Sequence, residues 1–137
     1  PEGQDLPQLV REALRDYAIG PRLNQSPLLR LRVVEQAMVE HDGNATQALR
    51  SVLRQAIERI RPEGQRKTTG EWLLYNILEM KFLQGQKVRD IAMRLAVSEA
   101  DFYRKQRLAL EEAAAAIAQM EREARAAADG VGAPNPL

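Results

Sequence analysis

The sequence contains no cysteine, only one histidine, His41, and only 4% aromatic residues. Without cysteine the chain forms no disulfide and offers no thiolate to a metal, which fits a reducing compartment, so we expect a cytoplasmic protein. The sequence also has no glycine-rich phosphate loop and no histidine beside a serine and an aspartate. These absences predict a protein that is not an enzyme and that holds no metal and no cofactor.

No run of apolar residues approaches the roughly 20 needed to span a bilayer, so we expect no membrane segment. Apolar residues nevertheless make up 45% of the 137 residues, and alanine and leucine supply most of them. This composition favours helices that pack on helices. We therefore predict an all-α fold, a helical bundle of about six helices with a long C-terminal helix.

Basic charge is concentrated in the middle of the chain, although the net charge is only +1. Residues 61–110 carry ten basic and six acidic side chains, a net charge of +4, whereas residues 1–60 are neutral and residues 111–137 carry −3. Attraction to phosphate groups therefore has to act through the middle segment.

Helix-spaced apolar residues and helix-start signals divide the chain into units. Residues 1–60 predict a three-helix unit, with its second helix starting at Ser26-Pro27 and its third at Asn44. Polar residues 61–69 are the predicted linker, residues 70–128 form a second unit, and residues 129–137, rich in glycine and proline, predict a disordered tail. Because the chain begins with proline rather than methionine, we expect a fragment of a longer protein, although N-terminal processing gives the same start.

Residues 87–110 are the most informative stretch, because a short amphipathic segment is followed by a tight turn and a long helix. Ser98 is the predicted N-cap of the second helix, and Asp101 at the third helical position completes a capping box. Two helices joined by so short a turn form a helix-turn-helix, which we assign to the unit 70–128. The residues predicted to be buried between its helices are Ile91, Ala92, Leu95, Val97 and Phe102.

This stretch resembles the helix-turn-helix of sigma-factor region four and of related bacterial response-type regulators. Three departures stand out: Ala96 replaces a usual glycine, Lys105 replaces a usual buried apolar residue, and Glu99 and Asp101 are acidic. The first is expected to be mild, because alanine accepts most turn geometries other than left-handed φ. The positions that carry the resemblance are Ile91-Ala92, Leu95, Ala96, Val97-Ser98, Phe102 and Ala109-Leu110.

The resemblance implies a DNA-binding surface on the second helix. Its outward-pointing residues would be Glu99, Ala100, Tyr103, Arg104 and Arg107. Arg104 would read guanine through two hydrogen bonds, and Glu99 would accept one from cytosine. The residues expected to contact phosphates are Lys87, Arg89, Arg94 and Lys105, with Ser98 and the helix N-terminus offering backbone N–H groups.

The long last helix carries small and apolar residues at alternating spacings of three and four. This pattern fits either a dimer seam or packing against the first three helices. Glu121, Arg122, Glu123 and Arg125 alternate in charge and are expected on a solvated face. The seam residues are Phe102, Gln106, Ala109, Ala113, Ala116, Met120, Ala124 and Ala127.

Three functions remain open. The first is the DNA-binding domain of a bacterial transcriptional regulator, in which residues 1–60 brace the helix-turn-helix or present it as a homodimer on double-stranded DNA. The second is a protein-interaction module that docks a partner or a downstream domain of the same chain, since the arrangement also resembles N-terminal modules of large bacterial signalling proteins. The third is a sigma-like domain that contacts RNA polymerase while it reads promoter DNA.

Overall fold

The computed structural model describes residues 5–63 and 70–129, and within these ranges the chain is all-helical, as its composition predicts. Six α-helices follow one another: α1 Leu6–Arg15, α2 Arg32–Glu40, α3 Ala45–Arg59, α4 Gly70–Leu78, α5 Val88–Leu95 and α6 Glu99–Asp129. Two short 3₁₀ helices, Pro21–Gln25 and Pro27–Arg30, join α1 to α2, and a π-helical turn, Glu79–Leu83, extends α4. None of these helices combines the length and the apolar composition required to cross a membrane. The predicted tail after Asp129 and residues 64–69 of the predicted linker lie outside the described residues, so the division into two units stays a prediction.

The main hydrophobic core forms where α6 packs against α1, α2, α3 and α4. The alanines of α6 let the neighbouring helices approach closely, and Ala109 and Ala113 are almost completely buried. Most of the expected dimer-seam positions are therefore occupied within one chain, which confirms the alternative of packing against the first three helices. The buried residues that α6 contributes to this core are Ala109, Leu110, Ala113, Ala114, Ile117 and Met120.

A second, smaller cluster joins α4, α5 and the first turn of α6. Ile77, Ile91 and Phe102 are fully buried at its centre. The partly buried residues packed around them include Leu95 and Val97, so the burial predicted for this stretch is confirmed. Phe102 anchors the start of α6 against the two preceding helices.

The predicted start of the second helix is wrong by five residues. The Ser26 hydroxyl does accept a hydrogen bond of 3.1 Å from the Leu28 amide, but the segment that it caps is the 3₁₀ helix Pro27–Arg30. Leu31 then adopts an extended conformation, with φ −69° and ψ 142°, and α2 begins at Arg32. The apolar spacing of this segment does not reveal the interruption at Leu31, because a buried residue lies on each side of it, Leu28 before and Val34 after.

The predicted start of the third helix is confirmed. The Asn44 side chain accepts a hydrogen bond of 3.0 Å from the Gln47 amide and caps α3. The fourth helix ends in the π-helical turn, where the Gln84 amide donates to the Glu79 carbonyl at 2.9 Å. Gly85 follows with φ 71°, a left-handed conformation that glycine adopts without steric penalty.

Glu121 caps α2 from a distant part of the chain. Its carboxylate accepts hydrogen bonds of 3.1 and 3.0 Å from the backbone amides of Arg32 and Val33. The first amides of a helix have no partner within the helix, and they lie at the positive end of its dipole, so a carboxylate is well suited to them. The Arg125 guanidinium pairs with the same carboxylate at 2.8 Å. The expectation that Glu121 lies on a solvated face is wrong, since its side chain is only 11% exposed.

Candidate nucleic-acid interface

The turn between α5 and α6 is built from backbone hydrogen bonds at the end of α5. Ala96 adopts φ 59° and ψ 43°, the left-handed region. Its amide donates to the Met93 carbonyl at 3.3 Å, and the Val97 amide donates to the Ala92 carbonyl at 3.0 Å. These two bonds define a Schellman motif, which ordinarily takes glycine at the left-handed position. The expectation that alanine is mild here is wrong, because Ala96 occupies the one conformation that it tolerates poorly.

Ser98 caps the N-terminus of α6 as predicted. Its hydroxyl accepts a hydrogen bond of 3.0 Å from the Asp101 amide. The Asp101 carboxylate, expected to complete a capping box, instead lies 3.0 Å from the Arg104 guanidinium and 3.8 Å from the Lys105 ammonium. One carboxylate therefore faces two of the cations that the sequence assigns to DNA binding.

The five residues predicted to point outward from α6 are all exposed. Tyr103 is 51% exposed and the Arg104 side chain 72% exposed, while Phe102 and Gln106 on the opposite side of the helix are buried. The start of α6 thus carries one buried face and one open face. We call the open one the α6 face; it consists of Glu99, Ala100, Tyr103, Arg104 and Arg107.

The predicted phosphate contacts fall into two groups. Lys87, Arg89 and Arg94 are exposed on and immediately before α5. Lys105 is half-buried, and its ammonium lies near Asp101. A lysine suits a half-buried position because its aliphatic stem tolerates burial while its charged end reaches a carboxylate, here that of Asp101. The first three cations are thus exposed to solvent, whereas Lys105 is half-buried beside Asp101.

Helix α1 lies beside the later half of the α6 face. Tyr103 and Arg107 line a cleft of about 370 Å³ together with Asp5, which directly precedes α1, and Arg11 of α1. No signal in the sequence indicated this neighbour, because almost one hundred residues separate the two sides of the cleft. Glu99, Ala100 and Arg104 lie outside the lining of this cleft.

No protein-family model, curated protein or solved structure matches this chain. Within the part of the chain that the structure describes, no group of three or more histidine, aspartate or glutamate side chains is arranged to hold a metal ion.

Proposed function

We propose that the chain is a DNA-binding module of a bacterial transcriptional regulator, with α5 and α6 acting as a helix-turn-helix. In this proposal α6 is the recognition helix, and its first two turns enter the major groove of double-stranded DNA. Helices α1 to α3 brace α6 from behind through the main hydrophobic core. The observation that carries the proposal is the open α6 face, which directly follows a capped turn and bears two exposed arginines.

Arg104 is the residue that we assign to base recognition. Its only ion pair among the described residues is the exposed contact with Asp101, and exposed pairs contribute between 0 and about 1 kcal/mol. A bidentate contact from arginine to guanine contributes about 1–3 kcal/mol of discrimination between bases. The pair with Asp101 is therefore weak enough for Arg104 to leave it and contact a guanine.

Phosphate contacts would come from both helices of the pair. Lys87, Arg89 and Arg94 supply exposed cations from α5. The backbone amides of Glu99 and Ala100 supply hydrogen-bond donors at the positive end of a helix 31 residues long. Such contacts fix the position of a protein on the duplex without reading its sequence.

Binding of a random-sequence duplex, measured by fluorescence anisotropy at low salt, tests this proposal. Lys87→Ala is expected to weaken binding to every duplex by a similar factor, because a phosphate contact is lost whatever the base sequence. Arg122→Ala is the matched control. Arg122 is exposed on α6 about 22 Å along the helix from Arg107, and its removal is expected to leave the affinity unchanged.

A second candidate function is protein docking, which the charge of the α6 face favours. Glu99 lies at its start, and the neighbouring Asp101 partly neutralises Arg104 and Lys105. The exposed apolar side chain of Met93 on α5, 75% accessible, offers a contact to a protein rather than to a phosphate backbone. A folded protein that binds no duplex at low salt would favour this candidate.

A further inference from the structure

The cleft between α1 and α6 is large enough to hold a small molecule. Its volume is about 370 Å³, within the range of pockets that hold small ligands. The start of α1 forms one wall, and the second and third turns of α6 form the other. The polar and charged residues of its lining that bear on ligand binding are Asp5, Arg11, Tyr103, Gln106, Arg107 and Glu111.

Gln106 supplies a buried acceptor without a donor. The residue is 6% exposed, and its Oε1 atom has no hydrogen-bond partner among the described residues. Buried polar atoms are almost always paired, because an unpaired one loses its contact with water and gains nothing in return. The oxygen itself is shielded from solvent, so a hydrogen-bond donor bound in the cleft reaches it once the Gln106 amide turns toward the cleft that this residue lines.

The charged groups that line the cleft carry both signs of charge. In the described part of the chain, none of Asp5, Arg11, Arg107 and Glu111 takes part in an ion pair. Two cations and two anions thus line one cleft of small volume and remain free to contact a ligand. A purely anionic ligand would meet Asp5 and Glu111, and a purely cationic ligand would meet the two arginines.

From this arrangement we propose that the cleft binds a small zwitterion, a free amino acid or a short peptide. Its carboxylate lies toward the guanidinium groups of Arg11 and Arg107, which suit a carboxylate by their planar pair of donors. Its ammonium group lies toward Glu111 and the Oε1 atom of Gln106. This assignment satisfies both signs of charge and supplies the donor that Gln106 lacks.

A ligand in this cleft also acts on the α6 face, a consequence that rests on the proposed function. Arg107 belongs to both surfaces, and an arginine that binds a carboxylate is withdrawn from a phosphate. The zwitterion and the duplex therefore weaken each other's binding by the same factor, since the coupling between two sites is reciprocal.

The experiment is a ¹H–¹⁵N NMR titration of the whole chain, in the absence of DNA, with single free amino acids and with dialanine and trialanine. Acetate and methylammonium serve as probes that carry one charge only. We expect saturable shifts at the start of α1 and around residues 103–111 with at least one zwitterion, and weaker or no binding of the single-charge probes. The comparison of amino acids with peptides identifies which separation of charges the cleft accepts. The absence of saturable binding by every zwitterion, or equal binding of acetate, would overturn the proposal.

Paired variants separate the site from unspecific charge effects. Arg11→Gln and Glu111→Gln are each expected to weaken binding about 10-fold or more, because each removes one charged partner of the ligand. Arg15→Gln and Glu112→Gln remove exposed charges of the same sign on the same two helices and are expected to have no effect. Equal losses in the controls would contradict the assignment.

Gln106→Leu tests the buried acceptor directly. It removes the unpaired oxygen at nearly constant volume, so we expect an unchanged or higher melting temperature together with loss of ligand binding. Full retention of affinity would overturn the role of Gln106, and the charge variants decide the matter should this variant not fold. Added duplex is expected to raise the apparent Kd of the ligand. A chain that binds the zwitterion but no duplex would uphold the site and overturn the coupling together with the proposed function.

Discussion

The Glu121 carboxylate on α6 accepts a hydrogen bond of 3.1 Å from the backbone amide of Arg32, which lies 89 residues earlier in the chain. The contact joins the later part of the last helix to the first turn of α2. The later part of α6 therefore stabilises the N-terminal helices.

Replacement of Glu121 is expected to destabilise the fold. Glu121→Ala removes the acceptor of two helix amides, and we expect the free energy of unfolding to fall by about 1–3 kcal/mol. Urea denaturation measures this difference. Glu112→Ala, an exposed glutamate on the same helix, is the control and is expected to change stability by less than about 0.5 kcal/mol. Equal effects of the two substitutions would contradict the cap.

Ala96→Gly is expected to stabilise the protein. A left-handed φ of 59° strains alanine but not glycine, so we expect a gain of about 1 kcal/mol in the free energy of unfolding. Ala100→Gly, in the first turn of α6, is the matched control, and a loss of up to about 1 kcal/mol is expected because glycine weakens an ordinary helix position. A loss at both positions would show that the turn does not require the left-handed conformation.

Tyr75 is expected to ionise at a higher pH than an ordinary tyrosine. Burial of its ring is the main cause that raises its pKa to about 12, and the nearby carboxylates of Glu79 and Glu58 add to the effect. The unfolded chain releases this proton near pH 10. The stabilisation that comes from neutral Tyr75 is therefore complete below pH 10 and declines as the pH rises toward 12.

Absorbance of the phenolate measures this prediction. In the folded protein, fewer tyrosines are expected to be ionised between pH 10 and 12 than in the denatured chain. Tyr75→Phe should abolish the ionisation step at the highest pH and make the free energy of unfolding less sensitive to pH in this interval. If the ionisation step at the highest pH persists in Tyr75→Phe, the raised pKa belongs to another tyrosine.

Arg104→Ala tests base recognition in particular. Selection of duplexes from a random library by the wild-type protein should enrich guanine at one or more positions, and the variant should lose that preference at the position that Arg104 reads. We expect a loss of about 1–3 kcal/mol against the selected site, which is about 5- to 150-fold in affinity. An unchanged base preference in Arg104→Ala would show that Arg104 does not contact the bases.

Short-range features of the fold were predictable from the sequence. The caps at Ser98 and Asn44 each join residues within about four positions of one another, and such pairs are visible in the sequence. The burial of Phe102 was predictable from its place in the helix-spaced apolar pattern, although the residues that bury it are distant in the chain. The composition likewise predicted an all-helical chain, because alanine and leucine dominate its apolar residues.

Long-range features were not predictable in the same way. The pairing of Glu121 with the start of α2, and the position of α1 beside Arg107, depend on how distant helices pack, and neither leaves a local pattern. The left-handed Ala96 was missed for a different reason. A glycine in a sequence indicates that a left-handed conformation is possible, whereas an alanine gives no such indication.

The salt dependence of duplex binding tests the account most directly. Fluorescence anisotropy with a random-sequence duplex, repeated over a series of salt concentrations, gives the slope of the logarithm of affinity against the logarithm of salt. If the α6 face and α5 engage DNA, affinity should fall steeply with salt, with a slope of about −0.9 for each phosphate neutralised. A protein that remains folded at low salt yet binds no duplex would contradict the account.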